Sequence, residues 1–279
     1  MIHHVTPIQV LHLFPVLDQK LTELLDSLSP DEWNQLTIAG KWTVKDIAAH
    51  MLDGNLRTLS FIRDKYLKEQ PQGIDTYKDL VLYLNQLNEQ WVVAARRFSP
   101  RVLKELLLVT GKEYYEVLSS LDPWEDAVFS VAWAGDEVSR NWFHIAREYT
   151  EKWIHQQQIR DAVQRPGLMT RELYYPFIDT FMCALPQTYR YVDAVVGTSV
   201  MVKVTSELGG EWHLNKTEEG WVLRHQTRLA PNAVVEIDPD TAWKLFSKGM
   251  SPEEALEFVK ITGAEDLGKV ALGMVAVMA

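Results

Sequence analysis

The apolar residues of this chain change their period along its length, and that change limits the folds open to it. From about Thr6 to Leu28 they recur at helical spacing, as Val10, Leu11, Phe14, Leu17, Leu21, Leu24, Leu25 and Leu28. Further helical stretches run from Thr43 to about Lys68, from Thr76 to Phe98 and from Pro100 to about Leu121. A long amphipathic helix is expected over Glu137 to Val163. Thr43, and Asp75 or Thr76, are N-cap residues for two of these helices, whereas Gln70-Pro71-Gln72-Gly73 and Asp122-Pro123 are stops. Leu36 to Lys41 and Trp124 to Gly135 are expected as loops. Four main helices of such length suit an up-and-down or crossover bundle.

The pattern changes after Gln164-Arg165-Pro166-Gly167. Thr170 to Tyr191 stays mostly helical, with Pro176 and Pro186 as expected boundaries. From Thr198 the period shortens toward two, in Val200 to Thr205, Gly210 to Leu214, Gly220 to Arg224 and Ala233 to Ile237. Each run is short and bounded by turn residues, as antiparallel strands are. Asp238-Pro239-Asp240 opens a helix at about Thr241 to Phe246, and Ser251-Pro252-Glu253-Glu254 opens another. Val259 to Ile261 adds a strand, and Glu265 to Val277 is expected as a closing helix. The chain therefore divides into an all-helical part, residues 1–165, and an α+β part, residues 166–279.

The net charge of −10, with no basic stripe carrying interleaved aromatics, argues against nucleic acid as a partner. No apolar run reaches the roughly 18 residues that a membrane span needs. The start, Met1-Ile2-His3-His4-Val5-Thr6-Pro7, has neither the basic opening nor the apolar stretch of a signal peptide. The single cysteine, Cys183, excludes an intramolecular disulfide framework. Its apolar setting, Phe181-Met182-Cys183-Ala184-Leu185, is that of a buried structural thiol, and a cytoplasmic location follows as the expectation.

Within the last helix of the first part, Glu151-Lys152-Trp153-Ile154-His155 puts a carboxylate and an imidazole four residues apart, on one face and one turn from each other. Such a pair can grip one metal ion, and bundle cores build such sites from facing helices. His50, two turns into the helix that Thr43 caps and among apolar neighbours, supplies the third ligand. Two histidines and one carboxylate leave coordination positions open, as catalytic rather than structural sites do. His144 and Glu148 share nearly the same stripe and form a rival pair, and the stripe can equally be a polar face without metal. Asp46, four residues before His50, stands either behind the ligands or on the surface.

Trp42-Thr43-Val44-Lys45-Asp46-Ile47-Ala48-Ala49-His50 resembles the start of the second helix in DinB-like metal-binding bundles, and His155-Gln156-Gln157-Gln158-Ile159-Arg160 resembles a segment of their last helix. Glu151 stands where many DinB-like proteins have histidine, which is the pattern of the mycothiol-dependent maleylpyruvate isomerase branch. The resemblance implies a His50, Glu151 and His155 metal site in a DinB-like four-helix bundle. Gly210 to Ile237, Asp240 to Leu245 and Gly263-Ala264-Glu265-Asp266-Leu267-Gly268 resemble the small C-terminal α+β domain of that branch, which is related to sterol carrier protein type 2.

What the branch implies about chemistry is a zinc-type divalent ion and a low-molecular-weight thiol such as mycothiol or bacillithiol. Metal lowers the pKa of a thiol so that thiolate exists at neutral pH. Addition to a double bond, rotation and elimination would isomerise maleylpyruvate with the thiol returned, whereas a transferase would stop after addition or displacement. The expected substrate is a small electrophilic or acidic molecule, bound by a monomer or homodimer. Arg224 and Arg228, on or near a strand, are candidate catalytic cations, and Asn88 is a candidate cofactor-binding residue. His213 and His225 are expected at the surface. A metal-dependent hydrolase on the same bundle and a non-enzymatic carrier of apolar ligands remain as alternatives.

Overall fold

The computed structural model describes residues 6–66 and 73–278. Met1 to Val5, the far end of the helix expected to reach Lys68, and the stop at Gln70-Pro71-Gln72 lie outside the described residues. The chain packs as two compact units, one of residues 9–128 and 140–168 with Met278, the other of residues 6–8, 129–139 and 169–277.

Among the described residues the first unit holds five helices rather than four: α1 (Phe14–Asp26), α2 (Val44–Thr58), α3 (Tyr77–Ala95), α4 (Pro100–Ser119) and α5 (Asn141–Ala162). Thr43 and Asp46 close a reciprocal capping box on α2, and Thr76 and Asp79 close another on α3, so both helices begin where orphan N–H groups find side-chain oxygens. Ser99 caps α4 just ahead of Pro100. Past Thr58, α2 widens into a π-helical turn, Leu59–Arg63. Leu21, Leu24 and Leu25 of α1, Val44, Ile47, Ala48 and Leu52 of α2, Leu103 of α4 and Ile159 of α5 meet in one core.

Two expectations about α5 need correction. It starts at Asn141, not Glu137, because residues 129–139 pack with the second unit. Arg140 closes that junction within the first unit, binding Asp126 at 2.6 Å and the Trp124 carbonyl at 3.0 Å. Nor is α5 simply amphipathic, since 15 of its 22 residues are buried. Part of this polar burial is offset by partners: Lys152 with Asp18 at 3.0 Å, Gln156 with the Leu17 carbonyl at 2.9 Å, and Arg160 with the Lys20 and Pro166 carbonyls.

The second unit carries α6 (Arg171–Met182), α7 (Leu185–Thr188), β1 (Ser199–Val204), β2 (Gly210–Thr217), β3 (Gly220–Arg224), β4 (Ala233–Ile237), α8 (Pro239–Phe246), α9 (Pro252–Ala255), β5 (Lys260–Gly263) and α10 (Glu265–Lys269). The strands form one sheet in the order β3-β2-β1-β4-β5. The expected antiparallel pairing holds for β1 with β2, β2 with β3 and β4 with β5, but β1 and β4 are parallel, Val202 opposite Val235. The period of two is visible in burial: Val200, Val202 and Val204 of β1, Trp212 and Leu214 of β2, and Ala233, Val235 and Ile237 of β4 are all buried. Asp238 caps α8, accepting from the Asp240 and Thr241 amides at 2.9 and 3.1 Å.

Pro176 does not bound α6 but lies within it. The intrahelical bond it forgoes is to the carbonyl of Glu172, an exposed residue in the first turn of the helix. The closing helix ends early: α10 spans five residues, tightens to a 3-10 turn over Val270–Gly273 and gives way to extended chain at Met274. Gly268 sits in that stretch because a Cβ there would come within 2.5 Å of the Ile261 side chain, so the turn needs glycine to lie against β5.

Candidate metal centre

Thr43 sets the start of α2 and thereby the face on which His50 stands, seven residues later. Glu151 and His155 come from one face of α5. Side-chain ligand atoms of His50, Glu151 and His155 all lie within 4.8 Å of one another. The two imidazole rings meet edge to face with centroids 4.6 Å apart, and His155 Nε2 is 3.4 Å from Glu151 Oε2. The indole of Trp42 covers His50 on another side, 4.9 Å between centroids.

Protonation follows from the neighbours. His155 Nδ1 lies 2.9 Å from Gln158 Oε1, an acceptor, so Nδ1 carries the proton and the Nε2 lone pair faces the cluster. Burial holds the His50 ring well below its ordinary pKa, with His155 and Arg57 adding to the effect, so that ring is neutral. His50 Nδ1 and His155 Nε2 are buried with no hydrogen-bond partner among the described residues. An unpaired buried nitrogen costs on the order of 1–3 kcal/mol, so two beside a carboxylate mark a place for a ligand. Two imidazoles and one carboxyl side chain are a donor set that fits a divalent ion of zinc type and leaves positions open for another ligand.

The same seam of α2 and α5 carries further polar groups. Arg57 of α2 pairs with Asp53 at 3.1 Å and donates to Asn88 Oδ1 of α3 at 3.5 Å. Asn88, expected as cofactor-binding, is thus buried beside Arg57. His144 and Glu148, the rival metal pair, take other partners. Arg147 Nη2 donates to His144 Nδ1 at 2.7 Å and also to Glu148 Oε1, while Tyr114 of α4 donates to Glu148 Oε2. Burial alone would raise the Glu148 carboxyl, but Arg147, His144, the Tyr114 hydroxyl and Arg57 together hold it below the usual carboxylate range. Burial, reinforced by Arg147, lowers His144 to about 4. Asp53, Arg57, Tyr114 and Arg147 were not singled out by sequence. The available signal was spacing, since Arg57 follows His50 by seven and Arg147 precedes Glu151 by four.

Asp46 is neither behind the ligands nor on the surface. It is buried at the start of α2, closing the cap and accepting from Arg96 at 3.0 and 3.1 Å. Arg224 and Arg228 belong to the second unit, where with Lys216, Glu218 and Glu219 they line a shallow recess of about 560 Å³. His213, on β2, is half-buried rather than exposed, because it lies opposite Arg224 of β3 within the sheet. His225 is exposed, 3.7 Å from Asp179. Cys183 is buried, and burial pushes its thiol well above the ordinary value, as a structural thiol requires.

Residues 14–160 match the family described as the mycothiol maleylpyruvate isomerase N-terminal domain. No curated protein matches the chain. Two crystal structures of the mycothiol-dependent maleylpyruvate isomerase share its fold. A histidine-to-alanine mutant matches with a TM-score of 0.57 at 9% identity, covering 94% of this chain and 95% of that one. The other structure gives a TM-score of 0.56 at 10% identity over the same shares. The structural likeness extends over both units, whereas the family match lies in the helical part, where α2 and α5 carry His50, Glu151 and His155. With just over half of its length so matched, the chain belongs to the family of the mycothiol maleylpyruvate isomerase N-terminal domain.

Proposed function

We propose that this protein is a metal-dependent enzyme that uses a low-molecular-weight thiol, mycothiol or a relative, as an isomerase of the maleylpyruvate type or a related transferase. The observation that carries the proposal is the convergence of His50, Glu151 and His155 ligand atoms within 4.8 Å, with two imidazole nitrogens buried and unpartnered. A divalent ion of zinc type held there supplies thiolate at neutral pH by lowering the pKa of a thiol. The chain's own part is to hold the donors ready. Gln158 fixes the His155 tautomer, burial keeps His50 neutral, Glu151 supplies the oxygen donor, and Trp42 covers the His50 ring.

Finer assignments belong to the same proposal. The helical unit is of the DinB-like type, and the second unit, with its mixed five-stranded sheet, is a relative of sterol carrier protein type 2. Arg224 and Arg228, in the recess with Lys216, are the second unit's candidate cations for an acidic substrate. The buried thiol of Cys183 suits work in the cytoplasm.

Metal analysis of untagged protein tests the proposal directly. About one equivalent of zinc or a similar ion per chain is expected for three ligands at one point, with near-complete loss in His155→Ala. Unchanged metal content in that variant would sink the assignment. Assays with mycothiol, bacillithiol and glutathione, against maleylpyruvate and simple electrophiles, then separate isomerase from transferase.

A further inference from the structure

We infer that Arg147, with His144 and Arg57 beside it in the α2–α5 seam, forms a carboxylate-recognising subsite that takes the anionic end of a small acidic electrophile. The inference rests on the reading of the bundle as an enzyme site and assigns the residues that would hold the substrate's anionic end.

The argument begins with donors and acceptors. Arginine can only donate, so the bond between Arg147 Nη2 and His144 Nδ1 makes Nδ1 the acceptor and leaves the imidazole proton on Nε2. His144 is 1% exposed, and its Nε2 has no partner among the described residues. Arg147 Nε is buried and equally without one. The acceptors at hand are already engaged: Glu148 by Arg147 and Tyr114, and Asp53 by Arg57. Two buried N–H groups of the seam, His144 Nε2 and Arg147 Nε, are therefore left without an acceptor among the described residues. A carboxylate is acceptor-only and offers about four lone-pair positions, which makes it the complementary ligand. A neutral or donor-bearing ligand would leave the shortage in place.

Position places these donors beside the metal ligands. Arg57 acts electrostatically on both His50 of α2 and Glu148 of α5, while His50 meets His155. Advancing along α2 thus corresponds to retreating along α5, and the helices run antiparallel. Arg147 lies one turn before Glu151, and Arg57 two turns beyond His50, on faces that share the seam. Solvent reaches it, since the Arg147, Glu148 and Arg57 side chains are 15%, 14% and 31% exposed. A small acid bridging the two ends would place its anionic group on the arginines and its electrophilic carbon toward the ion.

Calorimetric titration of the full chain with maleate and with neutral dimethyl maleate tests this. Maleate should bind and the diester should not. Arg57→Gln, which changes a partly exposed side chain, and the paired Arg147→Gln/Glu148→Gln, which removes both charges together, should each weaken maleate by about tenfold or more, the scale of one charge-assisted hydrogen bond. His155→Ala, which removes a metal ligand, should still bind maleate. Unaltered maleate affinity in Arg57→Gln, equal binding of the diester, or loss of maleate binding in His155→Ala would overturn the inference, the last by showing that the ion holds the carboxylate. Failure of the enzyme reading shows separately, as absent zinc in the metal analysis, because the maleate titration needs no metal.

Discussion

In the second unit the Ser199 hydroxyl donates to Asn215 Oδ1 at 2.8 Å, Asn215 donates in turn to Thr227 at 3.0 Å, and the Trp212 indole donates to Asp179 at 2.7 Å. In the first unit, by contrast, His50, His144, His155 and Arg147 keep buried nitrogens without partners. Those groups of the second unit close on one another, although His213 Nδ1 on the interior strand β2 does not; the first unit leaves a row of nitrogens open along two helices among the described residues. Closed networks fix a fold, while open ones cost stability unless something outside the chain completes them. The difference marks the α2–α5 seam as the place where the bundle would gain most from a ligand.

The largest expected effect falls on the open side. With zinc at a thousandfold over its dissociation constant, chelation should remove about 4 kcal/mol of stability. Hydrogen exchange should show faster opening of α2 and α5 amides with β1 and β2 unchanged. Equal acceleration in the sheet would break the contrast between the units.

The next effect is a pH dependence carried by His144. Its folded pKa of about 4 lies below the ordinary 6.5, so the unfolded chain takes up the proton first as pH falls. Stability present above pH 6.5 is therefore lost progressively down to about pH 4, and between 6.5 and 5 the loss should be about 2 kcal/mol. Denaturant titrations of chelated protein should show this slope in the native chain and a flatter one in His144→Gln. Asp179 of the second unit carries the opposite sign. Burial raises its carboxyl, so its contribution improves as pH falls toward the unfolded value. A His144→Gln profile parallel to the native one would remove His144 from the account.

The smallest effect probes the closed side. Ser199→Ala deprives Asn215 Oδ1 of its donor inside the sheet and should cost about 1 kcal/mol, with zinc content untouched. A change in metal binding there would mean that the sheet and the α2–α5 seam do not differ as described.

The convergence of His50, Glu151 and His155 was legible because its signal is local: Glu151 and His155 share a helix face by spacing, and the motif from Trp42 fixes where His50 stands. Arg57 and Arg147 carry spacings as regular, but arginine on a helix is ordinarily a solvated residue. What sets these two apart is the antiparallel approach of α2 and α5, which depends on packing between distant segments. The strands were legible through alternation, while the parallel pairing of β1 with β4 was not, since alternation reads the same for either direction. Pro176 misled because a proline is a strong helix stop by rule, and only the exposure of Glu172 makes it harmless.

Trp42, packed on the His50 ring at 4.9 Å, gives the site an optical consequence. An indole in contact with an imidazole changes its emission when that imidazole gains a proton or an ion, and a paramagnetic ion such as cobalt quenches it outright. Ten tryptophans contribute to the native signal, so the difference spectrum against Trp42→Phe isolates this one. Titration of the proposed centre with an ion would thereby be read by fluorescence in real time on the unlabelled chain.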